Sequence, residues 1–164
     1  MAELTNNLNF LQPTNFKIII DRKKYGNLEY FIQNVNHPGV SLPGVEVGYK
    51  RAAVHLAGDR LDFEEVTFDI IIDENMDAYV EMYNWLKKLV EEANQTQSQR
   101  GLKEPTFADI TMMIMSSHNN TTKKIVYRDC IPTSLGGVAL TSNATDTTFI
   151  TLPVTFTFSY FDLV

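Results

Sequence analysis

The sequence predicts a mainly β fold: an antiparallel barrel or sandwich of about seven strands with one amphipathic helix on its flank. Three observations carry this. Apolar residues alternate with polar ones along most of the chain, the period of a strand with one buried face. Proline, glycine and asparagine interrupt that pattern at short intervals, as turns between strands require. One segment instead repeats its apolar residues every three or four positions, the period of a helix. The 164 residues suit one domain, and a domain of about 150 residues buries about 68–70% of its unfolded surface, enough to fold without staples. No repeat and no linker divides the chain. Residues 1–164 therefore read as one unit, with an extended arm at about 45–60.

In chain order, Asn15 to Asp21 reads as a strand, with Phe16, Ile18 and Ile20 on one side. Leu28 to Val35 reads as a second, and the turn residues Tyr25-Gly26-Asn27 predict a hairpin between them. Pro38-Gly39 and Pro43-Gly44 mark turns. From Val45 to Leu56 the chain is β-prone but weakly apolar, with Tyr49, Lys50 and Arg51 in its middle, and Gly58 ends it. Without a clear core face, it is expected either to pack on something outside its own domain or to be a surface hairpin. Glu65 to Asp73 alternates strictly and reads as an internal strand. The helix follows, capped by Asp73 or Asn75, with Glu74 and Asp77 at its positive end. Its apolar stripe is read as Met76, Tyr79, Val80, Tyr83, Leu86, Val90 and Ala93, facing a sheet of the same chain. Asn94 to Pro105 is a polar loop. Strands are expected at Phe107 to Ser116 and Thr121 to Ile131, joined through His118-Asn119-Asn120, followed by a loop from Pro132 to Thr147. Thr148 to Phe161 reads as one long final strand.

Charge and cysteine content narrow the function. The formal net charge is -6, and the imbalance is local: Asp59 to Glu92 holds eleven acidic residues against Arg60, Lys87 and Lys88. No basic run exists of the kind that displaces counterions from nucleic acid. A lone cysteine, Cys130, rules out an internal disulfide. The first ten residues lack the pattern of a signal peptide. No apolar run approaches the roughly 20 residues that a membrane span needs. Sequons at Asn94, Asn119, Asn120 and Asn143 are read as chance matches without a secretory route.

Nor does any catalytic pattern emerge. His37, His55 and His118 have no ligand spacing, so no metal site is expected. Cys130 lies in an alternating strand and reads as a buried, inert thiol. Gly39, Gly44, Gly48 and Gly136-Gly137 read as turn or loop glycines, because no phosphate-loop fingerprint surrounds them. Asp62, Glu64 and Glu65 lack a calcium-loop pattern and read as solvated. No enzyme activity and no cofactor is expected.

Three ordered blocks are more specific. The first runs from Pro43-Gly44-Val45-Glu46-Val47-Gly48-Tyr49 through Ala57-Gly58-Asp59-Arg60. The second is the strand-to-helix run Val66 to Leu86, with Asp73-Glu74, Asp77-Ala78 and Trp85. The third is Pro153-Val154-Thr155-Phe156-Thr157-Phe158-Ser159-Tyr160-Phe161, and Ile131-Pro132-Thr133 adds a weaker match. Together they span most of the chain, and in this the sequence resembles the tail tube proteins of contractile-tailed bacteriophages. The resemblance implies a barrel or sandwich with one flanking helix, six copies in a ring, and rings stacked into a tube inside a sheath. The partners it implies are further copies of the chain, the tail sheath protein, a baseplate tube initiator, the tape measure protein, and double-stranded DNA passing without sequence preference. It also implies a place in the virion, after synthesis in the host cytoplasm, with no membrane anchor.

Within that picture the arm is expected to make subunit or ring contacts, with Tyr49, Lys50, Arg51, Asp59 and Arg60 as its polar part. The channel wall is expected to be polar and net acidic, with Asp109 and Thr111 as candidate lining residues. The alternatives are a tube initiator or terminator, a subunit of a type VI secretion tube or of a phage-derived particle, and, in another class, a small monomeric ligand-binding β-barrel.

Overall fold

The computed structural model describes residues 11, 13–20, 26–50, 52–93, 107–142 and 149–164. The expected loop from 94 to 105 lies outside them. The elements are β1 (Phe16–Ile19), α1 (Gly26–Phe31), β2 (Ile32–Asn36), β3 (Val40–Ser41), β4 (Val45–Tyr49), β5 (Ala52–Leu56), β6 (Asp62–Phe63), β7 (Val66–Ile71), α2 (Asp77–Ala93), β8 (Ala108–Met115), β9 (Thr121–Leu135), β10 (Thr151–Thr157) and β11 (Tyr160–Leu163).

The predicted class holds: the fold is mainly β and antiparallel. Its centre is one seven-stranded sheet in the order β1-β8-β9-β10-β7-β2, with β11 also paired to β9. Strand β9 joins two halves. Its first part pairs with β8 and β11, and its last part with β10. The inner faces of both halves share one core that includes Ile18, Ile110, Met112 and Tyr127 from one side and Phe68, Leu152, Val154 and Phe156 from the other. Helix α2 closes this core. Trp85 is buried with its ring 5.5 Å from Phe156, and Phe68 meets Phe156 edge-on at 5.4 Å.

Four readings change. The predicted hairpin of Asn15–Asp21 with Leu28–Val35 does not form. Residues Gly26–Phe31 are a helical turn, β1 pairs with β8, and β2 pairs with β7. The reason is a distant carboxylate. Glu81 of α2 accepts a bond from the Leu28 backbone N–H at 3.0 Å and another from Asn27 Nδ2 at 2.8 Å, which anchors the turn and buries Leu28.

Strand β9 runs past Ile131 to Leu135, through what the sequence marks as the start of a loop. Pro132 has no N–H to give to a ladder, but the register against β10 shifts there, and a bulge tolerates a missing donor. The long final strand is two strands. Phe158 and Ser159 break it, Ser159 N–H bonds to the Arg128 carbonyl at 3.0 Å, and β11 crosses to the other half of the sheet. That break shifts the alternation by one residue: continued from Leu152, Val154 and Phe156 it would turn Tyr160 inward, but Phe161 packs on the core and Tyr160 is exposed.

The fourth change concerns the face of α2. The residues it buries are Ala78, Met82 and Trp85, with Leu89 packed beside them. The stripe read from the sequence lies about a third of a turn away at 100° per residue. The helix is apolar over roughly 200° of its circumference, twice the arc that one partner surface uses. The sheet takes the part that carries the tryptophan.

Candidate assembly surfaces

The arm is a hairpin with a sheet of its own. Strands β4 and β5 pair in the register Val45↔Leu56, Glu46↔His55, Val47↔Val54, Gly48↔Ala53 and Tyr49↔Ala52. Lys50 follows Tyr49 in the turn at φ 55°, as short hairpin turns demand. Cross-strand partners share a face, so Val45, Val47, Val54 and Leu56 lie together. Each of the four is between 44% and 56% exposed. The opposite face carries the Glu46–His55 pair, 3.3 Å apart and largely in water. The arm was expected to lack a clear core face. It has an apolar one, and the domain leaves that face uncovered.

The root of the hairpin is held firmly. Strand β3 pairs with β6 through Val40↔Phe63 and Ser41↔Asp62. The Phe63 ring then joins an aromatic cluster, 5.7 Å from Phe158 and 5.4 Å from Phe161. The same cluster holds Tyr127, whose hydroxyl lies 2.7 Å from His37 Nδ1, and burial keeps the His37 imidazole below its usual pKa. Glu64 N–H bonds the Gly39 carbonyl at 3.1 Å. Gly58 explains the motif around it, because a Cβ there would fall on the backbone oxygen of Pro43. The chain can close past the hairpin only with glycine at that point.

The polar residues expected on the arm are not one cluster. Lys50 is at the tip, while Asp59 and Arg60 are in the exposed bend at the root. Five residues of strand at about 3.3 Å each separate the two ends by about 16 Å. Arg60 reaches Asp62 at 4.0 Å, a surface pair of little energetic weight. Arg51 lies outside the described residues.

Asp109 and Thr111 stand on the outer face of β8. Asp109 Oδ2 and Arg128 form an ion pair of 2.6 Å, and Asp109 Oδ1 accepts the Asp129 N–H at 3.2 Å. Arg128 also reaches Asp162 on β11 at 3.3 Å. Asp129 has φ 54°, unusual for a residue other than glycine, so Asp109 helps to fix the local shape of β9. Asp109 and Asp162 share the one Arg128. Thr111 is half-buried opposite Ile19 and Val126.

The second uncovered surface belongs to α2. On its outward side Val80 is 47%, Tyr83 55% and Val90 62% exposed. These are members of the stripe read from the sequence. The arm's face was also legible, in the spacing Val45, Val47 before the turn and Val54, Leu56 after it; what hid it was the run of glycine, alanine and charge between.

The groups considered for chemistry are spread apart. His37, His55 and His118 have separate partners: Tyr127, Glu46 and Ser117. Among the described residues no three of His, Cys, Asp and Glu gather in a way that would hold a metal ion. Cys130 is buried, and burial pushes its thiol up to about 12.

No family model matches the sequence, and no curated protein does. Solved structures do match in fold. A chain of the tube-terminating cap of the anti-feeding prophage aligns with a TM-score of 0.66 at 13% identity, covering 99% of this chain and 95% of that one. A chain of the PVC sheath/tube terminator, from an extracellular contractile injection system, aligns at 0.65 and 13%, covering 96% and 99%. A chain of the PVC sheath-tube complex in its extended state aligns at 0.66 and 12%, covering 96% and 93%. This chain has the fold of those contractile injection system components, from end to end.

Proposed function

We propose that this chain is a non-enzymatic structural subunit of a contractile tail or injection tube, and that it works by assembling with copies of itself. The observation that supports this best is a full-length fold shared with chains of contractile injection assemblies, on a domain whose arm presents an uncovered apolar face. An apolar face left in water is costly, and large exposed patches mark interaction sites. In this reading six copies form a ring by head-to-tail contacts, each using one surface to meet a different surface of the next. Rings stack into a hollow tube. The sheath protein surrounds it, and the baseplate initiator and tape measure protein act at its start and along its length. The arm, with Tyr49, Lys50, Arg51, Asp59 and Arg60, makes contacts between subunits or rings.

The cargo in this reading is double-stranded DNA within a virion. Net charge -6 in every copy and the absence of a basic run suit a conduit that phosphates slide through without sticking. Asp109 and Thr111 remain proposed lining residues; Arg128 is shared by Asp109 and Asp162, so the three together keep one net negative charge. A second reading is favoured by the neighbours themselves, since two of the three come from tube-ending caps or terminators. A terminator forms one ring and stops, whereas a tube subunit extends. Negative-stain electron microscopy of the purified chain separates these: hollow tubes of variable length support the tube subunit, single rings support the terminator, and a stable monomer at high concentration defeats both.

A further inference from the structure

We infer that the apolar face of the β4–β5 hairpin docks on the outward apolar stripe of helix α2 in a second copy of this chain. This rests on the self-assembly proposed above and adds the surface that receives the arm. Each copy carries both surfaces, and in the single chain both are exposed: Val45, Val47, Val54 and Leu56 on the hairpin, Val80, Tyr83 and Val90 on the helix. The hairpin therefore does not lie on its own helix.

The two surfaces match in length. A strand of five residues spans about 16 Å at 3.3 Å per residue, and the ten steps from Val80 to Val90 span about 15 Å at 1.5 Å per residue. They also match in charge. The hairpin turn carries Lys50, while the exposed Glu74 lies just before α2 and the exposed Asp77 opens it. Laying the turn at the start of the helix brings opposite charges together. Hairpin on helix joins two different surfaces, so it propagates from copy to copy. Hairpin on hairpin or helix on helix would stop at pairs.

The test uses two full-length variants, Val54→Asp and Tyr83→Asp, each checked for folding by circular dichroism and Trp85 fluorescence; Val54→Ser and Tyr83→Ser serve if either fails that check. Sedimentation at concentrations where the wild type associates should show each variant alone as a monomer. Mixed in equal amounts, they should form a pair and go no further, because one intact hairpin and one intact helix remain between them. Lys50→Glu should weaken association about tenfold, or about 1.4 kcal/mol, and Glu74→Lys with Asp77→Lys in the same chain should restore most of it. Association of either single variant with itself, or a mixture that behaves as monomers, overturns the docking. Wild-type association without rings or tubes defeats the proposed function and leaves the docking standing. Tubes formed by both variants do the reverse. A wild-type chain that stays monomeric near about 1 mM defeats both.

Discussion

The two faces of α2 should respond oppositely to truncation. Met82 is fully buried between helix and sheet, whereas Tyr83, the next residue, is 55% exposed. Replacing a buried methionine by alanine removes its side-chain contacts and leaves a cavity, at a cost of about 2–5 kcal/mol. For Met82→Ala we expect about 3 kcal/mol, because helix and sheet are both held by other core residues and cannot close the gap. A surface change of the Tyr83→Ser kind stays within about 0.5 kcal/mol. Urea unfolding of the monomer measures both. With a slope of about 2 kcal/mol per molar, Met82→Ala lowers the midpoint by about 1.5 M and Tyr83→Ser by less than about 0.3 M. In assembly the order reverses: Tyr83→Ser disrupts it, and Met82→Ala retains it below the new midpoint. A Tyr83→Ser monomer destabilised as much as Met82→Ala would mean that the exposed stripe is part of the domain's own core, and the reasoning about two helix faces would fail.

Other perturbations test other parts of the molecule. Gly58→Ala places a methyl on the Pro43 carbonyl oxygen, so the bend must open; we expect about 1–3 kcal/mol of destabilisation and loss of assembly with the sheet intact by circular dichroism, and normal tubes would count against the hairpin root as a fixed hinge. Lysines at Asp109 and Thr111 should leave tubes able to form yet make DNA passage fail in a salt-dependent way if β8 lines the channel; normal ejection from assembled mutant tails would place that face elsewhere. Because the Asp109 change also removes the Arg128 pair, Asp109→Asn is the control that separates lost structure from added charge. Cys130 supplies a pH test: its folded pKa is raised to about 12, so its contribution is complete below the unfolded value and is lost as pH rises from about 9 toward 12. Stability should fall over that window less steeply in Cys130→Ala than in the wild type, and parallel curves would contradict a buried neutral thiol.

What the sequence determined by itself was whatever local pattern decides. Alternation placed β7 and β10, because a strand with one buried face needs that period whatever its partner is. The helix existed in the sequence through its spacing and its acidic start, and the tube-protein likeness was legible in three ordered blocks. The pairing of β1 with β8, the helical turn at Gly26–Phe31 and the bulge at Pro132 were decided by tertiary structure, since each depends on a partner distant in the chain: β8, Glu81 and Phe156. The same holds for α2. Sequence shows a wide apolar arc, but only packing against Phe156 and its neighbours decides which part is core and which part stays uncovered. The hairpin follows that rule too: register brings its four aliphatic residues onto one face, and exposure of that face is a property of the whole domain, because nothing in residues 45–56 alone says whether the sheet will reach across to bury them.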